Sequence, residues 1–299
     1  MESFRLKVFR SVAKNLSFTK AASELYISQP AISKNIQALE NEFGLRLFVR
    51  RGNRIYLTSA GKVLLDYSEK IFNLQLKLES NLNLFKEEQT GSLRLGASTT
   101  IAQYVIAPVL SKFNKKFPNI KLSLLSGNSE RIADALLKGE IDLGIVEGKI
   151  KNKDLKYTHF ISDELVAATS FNNKLVNKNE VALKELIRLP LILRERGSGT
   201  LEVFEHALKN KKVKISSLNI VMFLGSTEAI KLYLESDECI GFISIRAIEK
   251  ELNEGVLKVL KIKDLQIKRN FEFIRLHGAQ TLSATSKFIQ IAKNHYNQK

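Results

Sequence analysis

The 299-residue sequence contains one cysteine, four prolines and no tryptophan. With a single thiol, Cys239, no internal disulfide can form. Its place in the apolar run Cys239 to Ile245 reads as a small buried strand residue. No stretch of about 18 apolar residues occurs, so no membrane span is expected. The start, Met1 to Arg10, is charged and amphipathic and lacks the apolar run and cleavage site of a secretory leader. These absences imply a cytoplasmic protein. The four histidines, His159, His206, His277 and His295, are scattered. There is no HExxH pair, CxxC pair or GxSxG elbow, and no Walker lysine after Gly197-Ser198-Gly199. Neither a catalytic nor a metal-binding constellation is therefore expected, and no cofactor.

Positive charge is abundant. The formal net charge is +16, which suits a polyanionic partner because Lys and Arg displace counterions from phosphates. Its distribution tempers that inference. Residues 1–58 carry 10 basic and 4 acidic side chains, whereas residues 91–299 carry 33 and 22. Most of the excess lies outside the segment that best suits a nucleic acid.

That segment is the N-terminal one. Leu6, Phe9, Val12 and Ala13 recur at helical spacing, and Asn15-Leu16-Ser17 interrupts them. Phe18 to Leu25 suits a second short helix. Ser28 is placed as an N-cap and Pro30 fits a first helical turn, where a missing N–H costs nothing. Ala31, Ile32, Ile36 and Leu39 then give a third helix one apolar stripe, leaving Ser28, Gln29, Ser33, Lys34 and Gln37 for other faces. Two short helices, the second polar on its outer side, describe a helix-turn-helix. Gln can read adenine, Ser can meet bases or phosphates, and Lys can pair with phosphate. An ordinary three-helix bundle with a solvated face is the competing account. Strand-like residues around Gly52-Asn53 form a hairpin, with Arg50, Arg51 and Arg54 at its tip. A basic wing beside a recognition helix favours double-stranded DNA.

From Thr58 to about Gln89 there is no proline, and Gly61 is the single glycine. Leu64, Tyr67, Ile71, Leu74, Leu78, Asn81 and Phe85 follow steps of three and four, the seam of a coiled coil. Beyond Thr90-Gly91-Ser92, strands alternate with helices. Leu93–Ala97, Lys121–Leu125 and Asp142–Val146 form one series; Leu191–Leu193, Ile220–Phe223 and Ile240–Ile243 form another. Pro108 bends or divides the first intervening helix. The alternation implies parallel sheets in two α/β lobes with a cleft between them.

Ligands in such sheets bind beyond the carboxyl ends of the strands, at helix N-termini. Those ends read Ser98-Thr99-Thr100, Gly127-Asn128-Ser129, Glu147-Gly148, Arg194 to Thr200, and Gly225-Ser226-Thr227. Each hydroxyl alone is an ordinary N-cap. Converging from two lobes around Arg196, they form an anion receptor.

The motifs Phe18-Thr19-Lys20-Ala21-Ala22, Ser28-Gln29-Pro30-Ala31-Ile32-Ser33, Ile36-Gln37-Ala38-Leu39-Glu40, Leu45-Arg46-Leu47-Phe48 and Leu57-Thr58-Ser59-Ala60-Gly61 resemble the N-terminal signature of LysR-type transcriptional regulators. Residues 91–299 resemble the effector domain of the same family, which is built like periplasmic binding proteins. Gly96 to Ile101, Gly127 to Ser129, Gly139 to Gly148 and Arg194 to Thr200 are similar to the branch that controls carbon-dioxide fixation and sulfur assimilation.

The resemblance implies residues 1–58 as a winged helix-turn-helix and 59–89 as a linker and dimerisation helix. Residues 90–299 become the effector domain, with lobe I at about 90–161 and 268–299 and lobe II at about 162–267. The chain would cross between lobes near Ser162–Ala167 and return near Lys268–Ile274. Gln29, Pro30 and Ser33 would meet bases and Lys34 a phosphate, with Thr19 and Ser28 in the same interface. Ser98, Thr99, Thr100, Asn128, Ser129, Ser198, Thr200, Ser226 and Thr227 would line the cleft. Glu147 would sit at its mouth, where its charge opposes an anion unless it orients a donor or pairs with Arg196. The implied partners are DNA, a second copy in a dimer or tetramer, RNA polymerase, and a small co-inducer. The co-inducer would be a sulfur or phosphate oxyanion or a phosphorylated metabolite, and the regulator would associate with the nucleoid. A transporter's solute-binding protein shares the two lobes but has no helix-turn-helix. A nucleoid-type binder without a ligand would show sequence-independent affinity.

Overall fold

In a computed structural model of the chain, residues 3–52, 54–83, 91–148, 151–174, 180–277 and 283–297 are described. They belong to two compact units, dividing between Phe85 and Lys86. No described helix is long and apolar enough to cross a membrane.

The first unit packs α1 (Phe4–Asn15), α2 (Phe18–Leu25) and α3 (Gln29–Phe43) against a hairpin of β1 (Phe48–Arg51) and β2 (Arg54–Leu57). The core is Val8, Phe9, Val12, Ala21, Ile32, Ile36, Leu39 and Leu47. The small side chains of Ala21 and Ala22 let α2 approach its neighbours closely. Ser28 caps α3 by accepting from the Ala31 N–H, with Pro30 in the first turn, as its sequence implies. Asn53 lies outside the described residues. The pairing of Arg51 with Arg54 leaves two residues for the turn, and Gly52 has φ +58°, as a two-residue hairpin turn demands.

Two helix ends depart from expectation. Leu16 and Tyr26 adopt left-handed backbone at φ 45° and 55° where glycine or asparagine is usual. The chain is forced into the tight turns that bring α2 across α1 and α3.

The helix α4 (Ser59–Asn83) starts at Thr58, whose hydroxyl accepts from the Gly61 N–H and donates to the Arg46 carbonyl at 2.7 Å. A side chain at Gly61 would come within 2.2 Å of the Leu47 carbonyl oxygen. Leu64, counted in the seam, instead packs against the core just described, because the start of α4 docks on α1. Further along, Tyr67, Ile71, Leu74, Leu78 and Leu82 are exposed. Phe85 and the side chain of Asn81 lie outside the described residues.

In the second unit, one lobe holds β3 (Gly91–Ser98), α5 (Thr99–Tyr104), α6 (Ala107–Lys116), β4 (Ile120–Gly127), α7 (Ser129–Leu137) and β5 (Leu143–Val146). Pro108 sits in the first turn of α6, so the expected helix is divided rather than bent. Strand β6 (Leu155–Ser170) then carries the chain across. The other lobe holds β7 (Glu180–Val181), α8 (Leu183–Leu186), β8 (Leu191–Arg194), α9 (Gly199–Asn210), β9 (Ile220–Leu224), α10 (Thr227–Ser236), β10 (Ile240–Ser244), α11 (Glu249–Asn253) and β11 (Leu257–Ile262). Strand β12 (Ile267–Leu276) returns, and α12 (Ser283–Asn297) completes the first lobe.

β3 pairs in parallel with β4 and β5, and β8 with β9 and β10. The crossing strands are antiparallel to each other and to β5 and β10. The parallel alternation expected from the sequence thus holds within each lobe, while the crossing pair joins both sheets. Leu93, Leu95, Ile101, Phe113, Phe273 and Phe288 centre the core of one lobe. Leu191, Leu193, Phe204, Phe242 and Leu260 centre that of the other.

Candidate effector cleft and DNA-reading face

The first unit presents a polar helix face beside a basic hairpin. Ile32, Ile36 and Leu39 are buried, which turns Ser28, Gln29, Pro30 and Lys34 outward, with Ser33 half-buried among them. Gln29 Nε2 donates to Ser33 Oγ at 3.0 Å, so the two share one face of α3. Thr19, Arg50, Arg51 and Arg54 are also exposed. One residue the sequence did not single out fixes the hairpin to α3. Glu40 is buried, and its carboxylate accepts from the N–H groups of Leu47 and Phe48 and from Arg46 Nη1. Charge-assisted bonds to main-chain N–H groups are strong, so Glu40 anchors the start of the wing.

In the second unit the strand-end residues of both lobes meet. Asn128, Ser198 and Ser226 cap α7, α9 and α10. Thr100 Oγ1 lies 3.2 Å from Thr227 Oγ1, one hydroxyl from each lobe. Asn128 Nδ2 donates to the Arg196 carbonyl at 3.4 Å, and the Glu130 N–H to the Gly197 carbonyl at 3.2 Å. Ser129 Oγ donates to the main-chain carbonyl of Glu147 at 2.7 Å. The approach is tight, since a Cβ on Gly199 would lie 2.0 Å from that same carbonyl oxygen. Thr99 Oγ1 is buried with no hydrogen-bond partner among the described residues.

The arginines are arranged differently from the sequence expectation. Arg196 is exposed and meets the facing lobe through its main chain. Two other guanidinium groups reach the hydroxyls. Arg194 is 2% exposed; it donates to Glu195, the Gly225 carbonyl and, at 3.4 Å, Thr227 Oγ1. Arg269, on the returning strand, is 3% exposed. Its Nη1 donates to Thr200 Oγ1 at 2.8 Å and its Nε to Asp163 Oδ2 at 2.7 Å. Asp163 also accepts from Ser244 Oγ at 2.8 Å. Glu147 is 2% exposed and does not pair with Arg196. Its carboxylate accepts from Ser98 Oγ and, at 3.4 Å, from Thr200 Oγ1, with Arg269 Nη1 3.7 Å away.

A second cross-lobe link joins Tyr104 of α5 to Glu228 of α10, which also pairs with Lys231 at 3.0 Å. Lys231 is buried and bonds Glu251 at 2.8 Å. Burial and the Glu228 carboxylate push the Tyr104 phenol far above its ordinary value. Burial pushes the Glu228 carboxyl up, but the Tyr104 hydroxyl and the Lys231 ammonium outweigh it and hold it below the usual range. Among the described residues no His, Cys, Asp and Glu cluster is arranged to hold a metal.

A winged helix-turn-helix joined to a two-lobed α/β domain whose strand-end hydroxyls meet between the lobes defines a DNA-binding regulator with a small-molecule receptor domain. Residues 4–62 match the bacterial regulatory helix-turn-helix family of lysR type, and residues 86–297 match the LysR substrate binding domain. The chain belongs to the LysR family of transcriptional regulators and is not an enzyme. It is 33% identical over 275 residues to a probable RuBisCO transcriptional regulator of Thalassiosira pseudonana, covering 90% of each chain. Its fold is similar to full-length CbnR complexed with its target DNA (TM-score 0.74, 20% identity, 98% of this chain and 99% of that chain). The second unit is similar to the Synechocystis PCC6803 CcmR regulatory domain in complex with 2-PG (TM-score 0.62, 29% identity, 69% of this chain and 97% of that chain).

Proposed function

We propose that the cleft binds a small anionic metabolite and that its occupancy changes how the regulator holds its promoter. The observation that carries this reading is the set of buried donors. Hydroxyls of Ser98, Thr100, Thr200 and Thr227 come from both lobes, and the guanidinium groups of Arg194 and Arg269 stand behind them. Fixed, buried hydroxyls and arginines suit an oxyanion. The binding of 2-PG by the similar CcmR domain supports a phosphorylated metabolite, with sulfur oxyanions as the other members of the class. On this reading Thr99, Asn128, Ser129, Ser198 and Ser226 shape the cleft, and Arg196 stands at its rim.

The α3 face reads DNA through Gln29, Pro30 and Ser33, while Thr19, Ser28, Lys34 and the wing arginines hold the phosphates. The exposed stripe on α4 pairs two copies, and the assembled oligomer acts on RNA polymerase at a cytoplasmic, nucleoid-bound promoter. Ligand shifts the lobes only by its differential affinity for their two arrangements.

The test is a thermal-shift screen with sulfate, sulfite, thiosulfate, phosphate, 2-phosphoglycolate, O-acetylserine and sugar phosphates, repeated on Thr100→Ala. An anion at about 100 times its dissociation constant stabilises the protein by about 2.7 kcal/mol. The shift is expected to shrink in Thr100→Ala. Silence across all anions rejects the anionic cleft, and a bound anion that leaves the promoter footprint unchanged rejects the coupling.

A further inference from the structure

The cleft reads as an anion receptor, yet its central buried side chain is itself an anion. Glu147 follows β5 in one lobe, and its carboxylate takes the hydrogen bonds of two cleft hydroxyls. One is Ser98 from the same lobe and the other Thr200 from the facing lobe. Thr200 in turn accepts from Arg269 Nη1, which lies 3.7 Å from the same carboxylate. A carboxylate oxygen and a ligand oxyanion ask for the same donors at the same distances. In this arrangement of the lobes, Glu147 occupies donors that the proposed ligand needs.

The surrounding charges sharpen the conflict. Asp163 already takes Arg269 Nε, and Glu195 takes Arg194 Nε. Arg194 pairs with Glu195, while Arg269 and the partly exposed Arg246, whose Nε lies 3.6 Å from Asp163 Oδ1, stand against Glu147 and Asp163, so no positive charge is in excess. A dianion entering beside Glu147 meets a like charge among buried side chains, where such pairs are most costly. Donor capacity is nevertheless left over, because Arg269 Nη2 and Thr99 Oγ1 are buried with no hydrogen-bond partner among the described residues.

We infer that Glu147 is an internal stand-in for the effector's oxyanion: it holds Ser98 and Thr200 together across the lobes, and a small dianion binds by displacing its carboxylate from them. This rests on the anionic-cleft reading above. It makes Glu147 a specificity residue, because a weakly charged or neutral ligand cannot compete for the arginine-backed hydroxyls.

The experiment is calorimetric titration of the full chain with 2-phosphoglycolate, inorganic sulfate and the zwitterion O-acetylserine, on wild type, Glu147→Gln and Glu147→Ala. The glutamine keeps size and an acceptor oxygen but removes the charge. The alanine guards against an amide that makes new bonds. The expected result is binding of at least one dianion about tenfold tighter or more in both variants, the sign set by removal of a buried like charge. Equal or weaker dianion binding in both variants, with wild type still binding, overturns the stand-in and leaves the anionic cleft intact. No anion bound by any form overturns both. A zwitterion bound by wild type and lost in both variants also overturns both, because Glu147 would then pair with the ligand's ammonium.

Discussion

Arg269 and Asp163 face each other directly on neighbouring antiparallel strands that both cross between the lobes, with Nε and Oδ2 2.7 Å apart. Both side chains are buried. Removing one member leaves the other with its weaker partners, Arg246 Nε 3.6 Å from Asp163 Oδ1 and Glu147 Oε1 3.7 Å from Arg269 Nη1, so the loss is at the low end for a broken buried pair, about 3 kcal/mol or less, whereas replacing both by apolar groups is often close to neutral. Arg269→Met is expected to lose that amount in urea unfolding of the second unit. Asp163→Leu together with Arg269→Met is expected to recover much of it. A single variant as stable as wild type would show that the pair does not hold the crossing strands.

The Tyr104 to Glu228 bond joins the lobes at another point. Since the Glu228 carboxyl is held below its ordinary value of 4.5, its contribution is present above that pH and is lost as pH falls through the depressed value. Tyr104→Phe removes the donor but leaves Lys231, and the Glu228 side chain is 44% exposed. The cost at neutral pH is therefore at the low end for a lost hydrogen bond to a charged group, about 1 kcal/mol. Urea titrations at pH 7 and pH 4 should show the difference between wild type and Tyr104→Phe narrowing at the lower pH. A difference that grows on acidification contradicts the link.

The apolar stripes, caps and turn of the first unit were readable because each is a local signal. Ser28 and Pro30 open α3, and Gly52 turns the hairpin. The hydroxyls at the strand ends were readable for the same reason. The buried arginines escaped because their meaning is tertiary, although a trace of it lay in the strand period. Ile267, Arg269, Phe271 and Phe273 alternate on one buried face, as do Ile161, Asp163, Leu165 and Ala167. A charge on each of two otherwise apolar strand faces signals a buried pair. Arg196 drew notice by its place in a hydroxyl-rich loop, but Gly197 at φ +80° turns that loop and leaves its side chain exposed. Nothing local marked Leu16 or Tyr26 for left-handed backbone.

Gly199 opens α9 where the lobes meet, and any Cβ there would lie 2.0 Å from the Glu147 carbonyl and 2.7 Å from Ser129 Oγ. The first obstacle is backbone, so the clash can be relieved only by moving the lobes apart or shifting α9. Overpacking of this kind costs about 1–3 kcal/mol. Gly199→Ala is expected to lower thermal stability and to weaken any ligand that spans both lobes. Unchanged stability would show that the lobes yield freely at this contact.

The apolar stripe on α4 is exposed within its unit, with Leu74 68% accessible. Spacing of three and four residues is the seam of a paired helix. Leu74→Glu with Leu78→Glu places like charges in that seam. Sedimentation of the full chain should then show a shift toward monomer at micromolar concentration. An undisturbed oligomer would assign the stripe another role.

Gln29 and Lys34 both emerge exposed from α3, five residues apart, and on the proposed reading they meet different parts of a duplex. Gln29 is steadied by Ser33 at 3.0 Å, as a base-reading amide requires. Its loss in Gln29→Ala should cost about 1–3 kcal/mol on the preferred site and relax discrimination at one base pair. Lys34 is exposed and serves as a point charge for phosphate. Lys34→Ala should weaken all sequences alike and reduce the dependence of log affinity on log salt by about one unit. Binding measured across salt and across single-base variants of the operator separates the two effects. A salt slope that drops for Gln29→Ala but not for Lys34→Ala would reverse the assignment.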